Sequence, residues 1–372
     1  MRNRSFSGSS ALRSSRSRRR FSSFCGILPP HILISIVARG TAEERRDALA
    51  TLALSERLRG RRRLLGAFSA MTPAGEKRRS VFDAHHKTTL PGTLVRAEGD
   101  PPTSDDAVDE AYEGAGATYD LYFEVYGRNS IDDRGMRLDS SVHYGKAYDN
   151  AFWDGTQMVY GDGDGKLFGR FTRAVDVIGH ELTHGVTARE ANLDYSDQPG
   201  ALNESFSDVF GSLVKQRLLG QTAAAADWVI GEGLFTTQVK GVALRSMKAP
   251  GTAYDDPVLG KDPQPATMKG YVETSDDDGG VHINSGIPNH AFYLAAVSIG
   301  GNAWEKAGQI WYDALTKRLR HDSDFSAAAK ETAAAAAERY GSSGSETKAV
   351  SDAWKQVGVS EGPSASFAGG GA

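Results

Sequence analysis

The sequence predicts an α+β protein of two lobes, a β-rich first lobe followed by a mainly α-helical second lobe. Between residues 80 and 164, short β-prone pieces such as 119–125 and 157–160 alternate with glycine, proline and asparagine at expected turns. After Ala174 the apolar residues recur at helical spacing, in segments at 174–188, 202–218, 287–299, 304–319 and 324–340. With 372 residues, 40% of them hydrophobic, the chain is long enough for two lobes and an additional segment.

That additional segment is expected at the N-terminus. Residues 1–24 are rich in arginine and serine, which predicts a disordered tail, and residues 41–63 have helical spacing. Pro73, Gly75 and the basic residues 77–79 mark a linker. We therefore expect a basic tail at 1–24, a short segment at 25–75, a first lobe at 80–189, a second lobe at 190–360 and a flexible tail at 361–372.

Charge is unevenly distributed along the chain. Residues 1–79 hold 18 Lys and Arg against 5 Asp and Glu, a balance of +13, whereas the remainder carries −17 of the net charge of −4. Opposite charges should attract the basic segment to the acidic body. The cluster of Arg16, Arg18, Arg19 and Arg20 could be a solvated tail or a nucleic-acid contact, and the lack of interleaved aromatic residues favours the tail. We expect no nucleic-acid partner.

The most informative motif is HELTH at residues 180–184, which lies in a helical segment. Residues four apart share one face of a helix, so His180 and His184 can bind one zinc ion. A catalytic zinc needs a third protein ligand, and Glu204, 20 residues after His184, can supply it from a second helix. Glu181 can then take a proton from zinc-bound water and pass it to the leaving amine. Asp208, one turn after Glu204, can hydrogen-bond a ligand imidazole.

The motifs around this site resemble those of the thermolysin-like neutral metalloproteases, especially the protealysin-like branch with its short prosegment. The likeness covers about residues 80–357. It rests on LPG at 90–92, SSVHYG at 140–145, NAFWDGTQMVYGDGDG at 150–165, DVIGHELTHGVT at 176–187, GALNESFSDVFG at 200–211, ALRSM at 243–247 and DDDGGVHINSGIPN at 276–289. The resemblance implies a monomeric zinc endopeptidase of protein or peptide substrates, with the HELTH helix between its two lobes.

The resemblance also implies catalytic roles for individual residues. It makes Glu181 the general base and assigns zinc to His180, His184 and Glu204. His282, oriented by Asp277, would stabilise the transition state and donate a proton, and Tyr195 would supply a phenol to the same oxyanion. His143 in SSVHYG would be structural.

Substrate binding is implied in the same way. Asn150 and Ala151 would bind the substrate main chain, Asn150 at the leaving amine, and Arg245 would hold a carbonyl on the primed side. An apolar pocket would favour cleavage before Leu, Phe, Ile or Val. Its lining would be Phe171, Val177, Ile230 and Leu244, for which plain core packing is an equal alternative.

Calcium is where the sequence departs from the family. Asp176, Asp227 and Glu232 match parts of a double calcium site, but Lys215 and Val229 stand where the pattern supplies acidic residues. The Lys215 ammonium could replace an ion, so we expect at most one weak calcium site. The GDGDG turn at 161–165 resembles part of a calcium loop but lacks the later glutamate of an EF-hand, which favours a hairpin turn.

Residues 25–75 resemble the short prosegment of this branch through CGILPPH at 25–31, which includes Cys25, Pro29 and Pro30. This implies a zymogen in which the prosegment is an intramolecular inhibitor, processed within 69–79. The Cys25 thiolate could occupy the open zinc position, or the residue could pack as a small hydrophobe. As the only cysteine, Cys25 excludes an intrachain disulfide.

Location follows from the family and the N-terminus together. The family is generally extracellular, whereas residues 21–30 are too short and proline-rich for a classical signal peptide. We expect secretion by a leaderless route, with a cytoplasmic pool as the alternative. No stretch approaches the ~18 apolar residues of a membrane span, so none is expected.

Two other functions fit parts of the pattern. A zinc aminopeptidase shares H-E-x-x-H and a distant glutamate, but it would need acidic residues that hold the free amine of its substrate. A non-catalytic, zinc-stabilised binding module would not need Glu181 and His282. The endopeptidase is therefore the favoured hypothesis.

Overall fold

The structure is a computed structural model that describes residues 26–61 and 75–360, with the backbone only for 56–61. The predicted basic tail, Cys25, the processing zone up to residue 74 and the tail at 361–372 lie outside the described residues. Among the described helices, none is long and apolar enough to cross a membrane.

Two helices lie in the described part of the predicted N-terminal segment, residues 26–61. Helix α1 (Pro30–Arg39) begins with a proline. The first turn of a helix accommodates proline because a backbone N–H at that position would have no partner within the helix. Helix α2 (Ala42–Arg61) begins with a capping box, in which the Thr41 N–H donates to Glu44 Oε2 at 2.6 Å and the Glu44 N–H donates to Thr41 Oγ1 at 3.3 Å. The helical prediction for 41–63 is confirmed.

The first lobe is built on a five-stranded mixed sheet with the order β2-β1-β3-β5-β4. Strand β1 pairs antiparallel with β2 and parallel with β3, β3 pairs parallel with β5, and β4 pairs antiparallel with β5. Strand β4 therefore ends the sheet. The strands are β1 (Arg79–Asp83), β2 (Thr93–Ala97), β3 (Leu138–Val142), β4 (Ala151–Trp153) and β5 (Met158–Tyr160).

The strand prediction for 119–125 is wrong. Helix α3 (Asp106–Asp120) continues into a π-helical turn at Leu121–Val125. Tyr122 in this turn is fully buried, and its hydroxyl lies 2.8 Å from Thr183 Oγ1. Strand propensity depends on the surface against which a residue packs, and here the neighbours favour the helix.

The second lobe is helical, and the five helices predicted from spacing are confirmed. The helices are α4 (Val175–Arg189), α5 (Asp197–Leu219), α6 (Asp277–Asn284), α7 (Gly286–Ile299), α8 (Lys306–Lys317), α9 (Phe325–Tyr340) and α10 (Ser345–Gln356). Two short antiparallel two-stranded sheets accompany them, β6 (Val229–Ile230) with β7 (Arg245–Ser246) and β8 (Asp255–Asp256) with β9 (Gly260–Lys261). The sequence analysis did not identify α6 or α10.

Helix α4 lies between the sheet and α5, and every residue from Asp176 to Thr187 is buried. Two glycines allow the close approach to α5: a Cβ on Gly211 would lie 2.3 Å from the Asp176 carbonyl oxygen, and one on Gly179 would lie 3.0 Å from the Gly211 Cα. On the sheet side, a Cβ on Gly185 would come within 3.2 Å of the Trp153 ring. These contacts fix the two helices and β4 around one point.

Candidate active site

Three buried side chains converge where α4 faces α5. His180 and His184 lie one turn apart on α4, and their Nε2 atoms are 3.0 Å apart. On α5, Glu204 Oε2 lies 3.6 Å from the His180 Nε2 atom, and Glu204 Oε1 lies 3.6 Å from the His184 Nε2 atom. One ligand atom from each residue lies within 4.8 Å of the others, as a single metal ion requires.

The hydrogen bonds behind the two imidazoles define which nitrogens face this point. The Nδ1 atom of His180 lies 2.8 Å from Asp208 Oδ1, and that of His184 lies 2.8 Å from Asn203 Oδ1. Both oxygens are acceptors, so each Nδ1 donates and each Nε2 presents a lone pair. Two lone pairs 3.0 Å apart repel unless a cation lies between them. Two imidazoles and one carboxylate are the donor set of a catalytic zinc, and these residues fit that ion.

Asp208 connects this centre to Arg245. The Arg245 guanidinium donates to both Asp208 oxygens at 2.8 Å, and Asn289 Nδ2 donates to Oδ2 at 2.8 Å. Burial opposes the charge on Asp208, but Arg245 and His180 hold the pKa of its carboxyl well below its usual range. Asp208 lies where the sequence predicted it. Asn203 and Asn289 were not predicted, and the position of Asn203 beside Glu204 was the only signal for it.

The Glu181 carboxylate lies at the end of β4, where its Oε2 accepts from the Trp153 N–H at 3.0 Å. Tyr195 donates its hydroxyl hydrogen bond to Glu204 Oε1, and the same hydroxyl is 3.4 Å from His282 Nε2. Burial opposes the charge on Glu204, yet the nearby His282 and the two ligand histidines lower its pKa to about 2.

His282 is held by Asp277. The Nδ1 atom of His282 lies 2.6 Å from Asp277 Oδ1, and its backbone N–H donates to Oδ2 at 2.9 Å. Burial alone would lower the pKa of His282, but Asp277 and Glu204 raise it to about 9, which favours an imidazolium. The turn that joins the two residues has four consecutive left-handed residues, with φ from 51° at Asp278 to 92° at Gly279.

An extended piece of the N-terminal segment lies along β4. Gly26 forms an antiparallel bridge with Phe152, and the Ile27 N–H donates to the Ala151 carbonyl at 3.1 Å. The Leu28 N–H donates to Asn150 Oδ1 at 2.9 Å, and Arg245 Nη1 donates to the Ile27 carbonyl at 3.1 Å. The three residues predicted to bind substrate main chain therefore all hold the backbone of residues 27–28. This is strand addition to a sheet edge.

Helices α1 and α2 extend this contact over both lobes. His31 Nε2 lies 3.0 Å from the Tyr254 hydroxyl, and Ser35 Oγ donates to the Val258 carbonyl at 2.7 Å. The Asp149 N–H donates to Thr51 Oγ1 at 3.2 Å. Ile27 is fully buried in the same hydrophobic cluster as the four predicted pocket residues, Phe171, Val177, Ile230 and Leu244.

The three predicted calcium ligands surround an ammonium group. Lys215 Nζ lies 2.9 Å from Asp227 Oδ1, 3.2 Å from Asp176 Oδ2 and 3.9 Å from Glu232 Oε2, and it donates to the Val229 carbonyl at 3.0 Å. Burial opposes the charge, but Asp176 and Asp227 raise the pKa of Lys215. The ammonium lies among the oxygens that would bind an ion, which favours the replacement of calcium by Lys215. A weak calcium site stays a prediction.

His143 and the GDGDG loop bind each other. Nδ1 of His143 lies 2.9 Å from Asp162, and Nε2 lies 2.8 Å from Asp105. These two hydrogen bonds raise the pKa of His143 to about 9 against the opposing effect of burial. Asp164 Oδ1 accepts from the backbone N–H groups of residues 166–168, which closes the loop on itself. Because 161–165 does not join two paired strands of the described sheets, the hairpin prediction is wrong, although the segment is a turn.

Comparison with known proteins agrees with this geometry. A family model described as "Thermolysin metallopeptidase, catalytic domain" matches residues 68–188, and one described as "Thermolysin metallopeptidase, alpha-helical domain" matches residues 191–359. The chain belongs to the thermolysin family of zinc metallopeptidases and is a metalloendopeptidase.

Relatives of nearly the same length narrow the comparison. The chain is 53% identical over 336 residues to an extracellular metalloprotease of Pectobacterium carotovorum subsp. carotovorum, a match that covers 90% of this chain and 96% of that protein. It is 50% identical over 342 residues to protease PrtS of Photorhabdus sp. (strain Az29), with 90% and 92% covered. The solved precursor of protealysin, the metalloproteinase from Serratia proteamaculans, superimposes with a TM-score of 0.84 at 53% identity, over 90% of this chain and 100% of that one.

Proposed function

We propose that this chain is a zinc-dependent endopeptidase, made as a zymogen, that hydrolyses peptide bonds at the cleft between β4 and α4. The observation that carries the proposal is the backbone of residues 27–28, which is held beside the three buried ligands by Ala151, Asn150 and Arg245. Gly26 extends the bound chain to the other side of Ile27. The cleft binds backbone both before and after the Ile27 N–H, which favours an endopeptidase over an aminopeptidase. Glu181 is held by the Trp153 N–H and His282 by Asp277, and a non-catalytic binding module would not need either residue.

The residues around the ligands support a hydrolytic mechanism. His180, His184 and Glu204 would hold a zinc ion, which would supply a Lewis acid for the hydrolysis of a peptide bond. Glu181 accepts a proton from the attacking water and delivers it to the leaving amine. The His282 imidazolium and the Tyr195 phenol donate to the oxygen on which negative charge develops.

The register of the bound segment supports an apolar preference after the cut. The Ile27 N–H binds Ala151 and its carbonyl binds Arg245, so Ile27 takes the position of the first residue on the leaving-group side. Its side chain is fully buried. We propose that Phe171, Val177, Ile230 and Leu244 form the pocket for that residue, so that substrates with Leu, Phe, Ile or Val there are preferred.

The same contacts support the role of residues 25–75 as an intramolecular inhibitor. A substrate cannot reach Ala151 and Arg245 while Ile27 binds both. Pro29 and Pro30 end the extended segment, because α1 starts at Pro30 and carries the chain out of the cleft. Because relatives of the chain are extracellular proteases, we propose that it acts outside the cell. The location is tested by mass spectrometry of the protein from culture medium and from cells.

Substitution of Glu181 tests the mechanism. Glu181→Gln keeps the size of the side chain but removes the base, so casein hydrolysis should fall by about 10³-fold while zinc content stays at one per chain. The matched control, Glu305→Gln, changes an exposed glutamate at the N-cap of α8 and should hydrolyse casein like the wild type. Undiminished hydrolysis by Glu181→Gln, with zinc bound, contradicts the mechanism.

Substitution of Ile27 tests the inhibitor. Ile27→Asp places a carboxylate in a fully buried position, so the unprocessed chain should cleave a short peptide at least about 10²-fold faster than the wild-type precursor. Ile34→Asp introduces the same charge on α1 at a residue that is 57% exposed and should leave inhibition in place. Gels taken with the initial rates establish that the chain is still intact. Equal rates for the two variants count against the inhibitor.

A further inference from the structure

His282 is held at its carbonyl group as well as at its ring. Asp277 binds the ring through Nδ1 and also accepts from the backbone N–H. On the other side of the residue, the His282 carbonyl oxygen accepts from Gln264 Nε2 at 2.8 Å and from Ser285 Oγ at 3.1 Å. Gln264 Nε2 also donates to Ser285 Oγ at 3.0 Å. One buried amide group therefore binds two residues at the end of α6.

The contacts of His282 differ in what they connect. Asp277 belongs to the same helix as His282, and Ser285 is the C-cap of that helix, so both residues move with His282. Gln264 lies 18 residues earlier in the chain, in the segment between β9 and α6. Its amide group therefore joins the backbone of His282 to a part of the body outside α6.

Helix α6 alone is a weak support for His282. The helix has 8 residues, and Asp278, Gly279 and Gly280 have non-helical backbone angles, with φ between 51° and 92°. A helix this short and this distorted is not stable by itself, because few helical hydrogen bonds offset the cost of fixing its backbone. Contacts from neighbouring segments must therefore determine where His282 lies.

The segment around Gln264 is itself firmly held. The Gln264 N–H donates to Asp262 Oδ1 at 3.0 Å. The other oxygen of Asp262 accepts from the N–H groups of Gly251 and Ala253 at 3.0 and 3.1 Å. A Cβ on Gly286 would lie 2.9 Å from the Gln264 Cβ, so the segment packs tightly against the start of α7. Gln264 can therefore fix the position of a neighbouring carbonyl group.

The Gln264 amide contains a polar atom that contributes nothing to stability. Gln264 is 4% exposed, and its Oε1 is buried without a hydrogen-bond partner among the described residues. Burial of such an oxygen costs free energy, so stability alone does not favour glutamine at this position. If the amide were removed, Ser285 Oγ would still donate to the His282 carbonyl. We therefore expect the loss of this amide to cost little stability.

We infer that Gln264 is a positioning residue for the hydrolysis, which acts by holding the His282 imidazole beside the oxygen on which negative charge develops. The inference rests on the role that the proposed function gives to His282. A donor stabilises that charge only from hydrogen-bond distance, and small displacements of such a group reduce the rate strongly. Because the charge develops in the transition state, Gln264 affects kcat and leaves KM nearly unchanged.

The test substitutes Gln264→Met in active enzyme recovered from the expressed full chain, with a quenched peptide as substrate. Methionine keeps the length of the side chain but removes the donor, so kcat should fall roughly 10-fold while KM, zinc content and the thermal midpoint stay close to the wild type. The matched control is Gln216→Met, further along α5 than Glu204. Gln216 is equally buried, donates to a serine hydroxyl at 2.9 Å and also has an unpartnered Oε1 among the described residues. Gln216→Met should retain the wild-type kcat.

A second substitution, His282→Ala, separates positioning from a general structural effect. His282→Ala alone should lower kcat by about 10²-fold. It keeps the carbonyl group that Gln264 binds, so adding Gln264→Met should have no further effect, because the imidazole to be positioned is gone.

A further 10-fold loss in the double variant overturns the inference. So does an unchanged kcat in Gln264→Met, an effect confined to KM, or a failure of Gln264→Met to fold with its thermal midpoint near the wild type. Undiminished kcat in His282→Ala would instead contradict the role of His282 in the proposed function, and the inference would fail with it.

Discussion

Helices α4 and α5 carry two clusters of acidic groups that differ in the origin of their cation. At one end, His180, His184 and Glu204 converge on a point that needs an ion from solution. At the other end, Asp176 on α4 meets Lys215 on α5 at 3.2 Å, and the ion is the chain's own ammonium group. Both clusters lie along the same two helix faces, four residues apart on α4.

The difference in the origin of the cation gives the two clusters different tasks: the metal ligands serve the reaction, and the Lys215 cluster serves stability. A buried carboxylate is costly unless a cation compensates it, and either cation meets that need. The Lys215 ammonium is surrounded by Asp176, Asp227, Glu232 and a carbonyl group. Its positive charge is therefore compensated by groups of the protein itself. A zinc ion held by two neutral imidazoles and one carboxylate would keep a net positive charge, so it could supply a Lewis acid to a substrate. The predictions below test this division in order of decreasing effect.

The largest effect is expected at the metal centre. Glu204→Gln removes the only anionic ligand, so zinc affinity and peptide hydrolysis should each fall by more than about 10²-fold. Zinc content after dialysis and hydrolysis with added zinc measure the two effects.

A chelator selective for zinc should abolish activity, whereas one selective for calcium should leave the thermal midpoint unchanged. A large drop in the midpoint with the calcium chelator would contradict the assignment of a self-supplied cation.

The next largest effect is expected at Lys215. Lys215→Met leaves Asp176 buried without its cation, which should destabilise the protein by about 3–5 kcal/mol. Lys348→Met breaks an exposed pair with Asp352, which solvent screens, and should destabilise the protein far less than Lys215→Met does. Thermal or urea unfolding of both variants measures the contrast. If the two substitutions cost the same, the Lys215 cluster does not replace a structural ion.

His31 extends the comparison to a partly buried base that has no acidic side chain within hydrogen-bond distance among the described residues. Its Nε2 lies 3.0 Å from the Tyr254 hydroxyl, and its Nδ1 is buried without a hydrogen-bond partner among the described residues. Burial is the main cause that lowers the pKa of His31 to about 4; Asp277 opposes this shift, and His282 and Arg245 add to it. Unlike Lys215, His31 is therefore neutral near pH 7.

This neutrality makes prosegment binding dependent on pH. A depressed pKa in the bound state means that binding is strongest above the free value of 6.5 and is lost as the pH falls towards 4. Prosegment affinity should weaken by about 20-fold between pH 7 and pH 5, read as faster hydrolysis by the intact precursor relative to the mature enzyme at each pH. His31→Gln cannot titrate and should lack this dependence. The same dependence in His31→Gln would assign it to another group.

Most of the metal centre could be predicted because its geometry is local. The spacing of His180 and His184 places both on one helix face in any structure that keeps the helix. Glu204 and Asp208 likewise repeat the helical period on α5. Asn203 and Asn289 carry no such signal, since their roles depend on which side chains the packing of α5 and α7 brings near His184 and Asp208.

Contacts between distant segments explain the other differences. Residues 119–125 have strand propensity, yet Tyr122 packs against Thr183 and the turn is helical. The sequence by itself determined the two-lobe order of strands and helices and the zinc-binding side chains, because periodicity and spacing encode them. Only the tertiary structure decided that Lys215 occupies the acidic cluster and that Ile27 lies against Arg245, because 218 residues separate that pair and only packing brings them together.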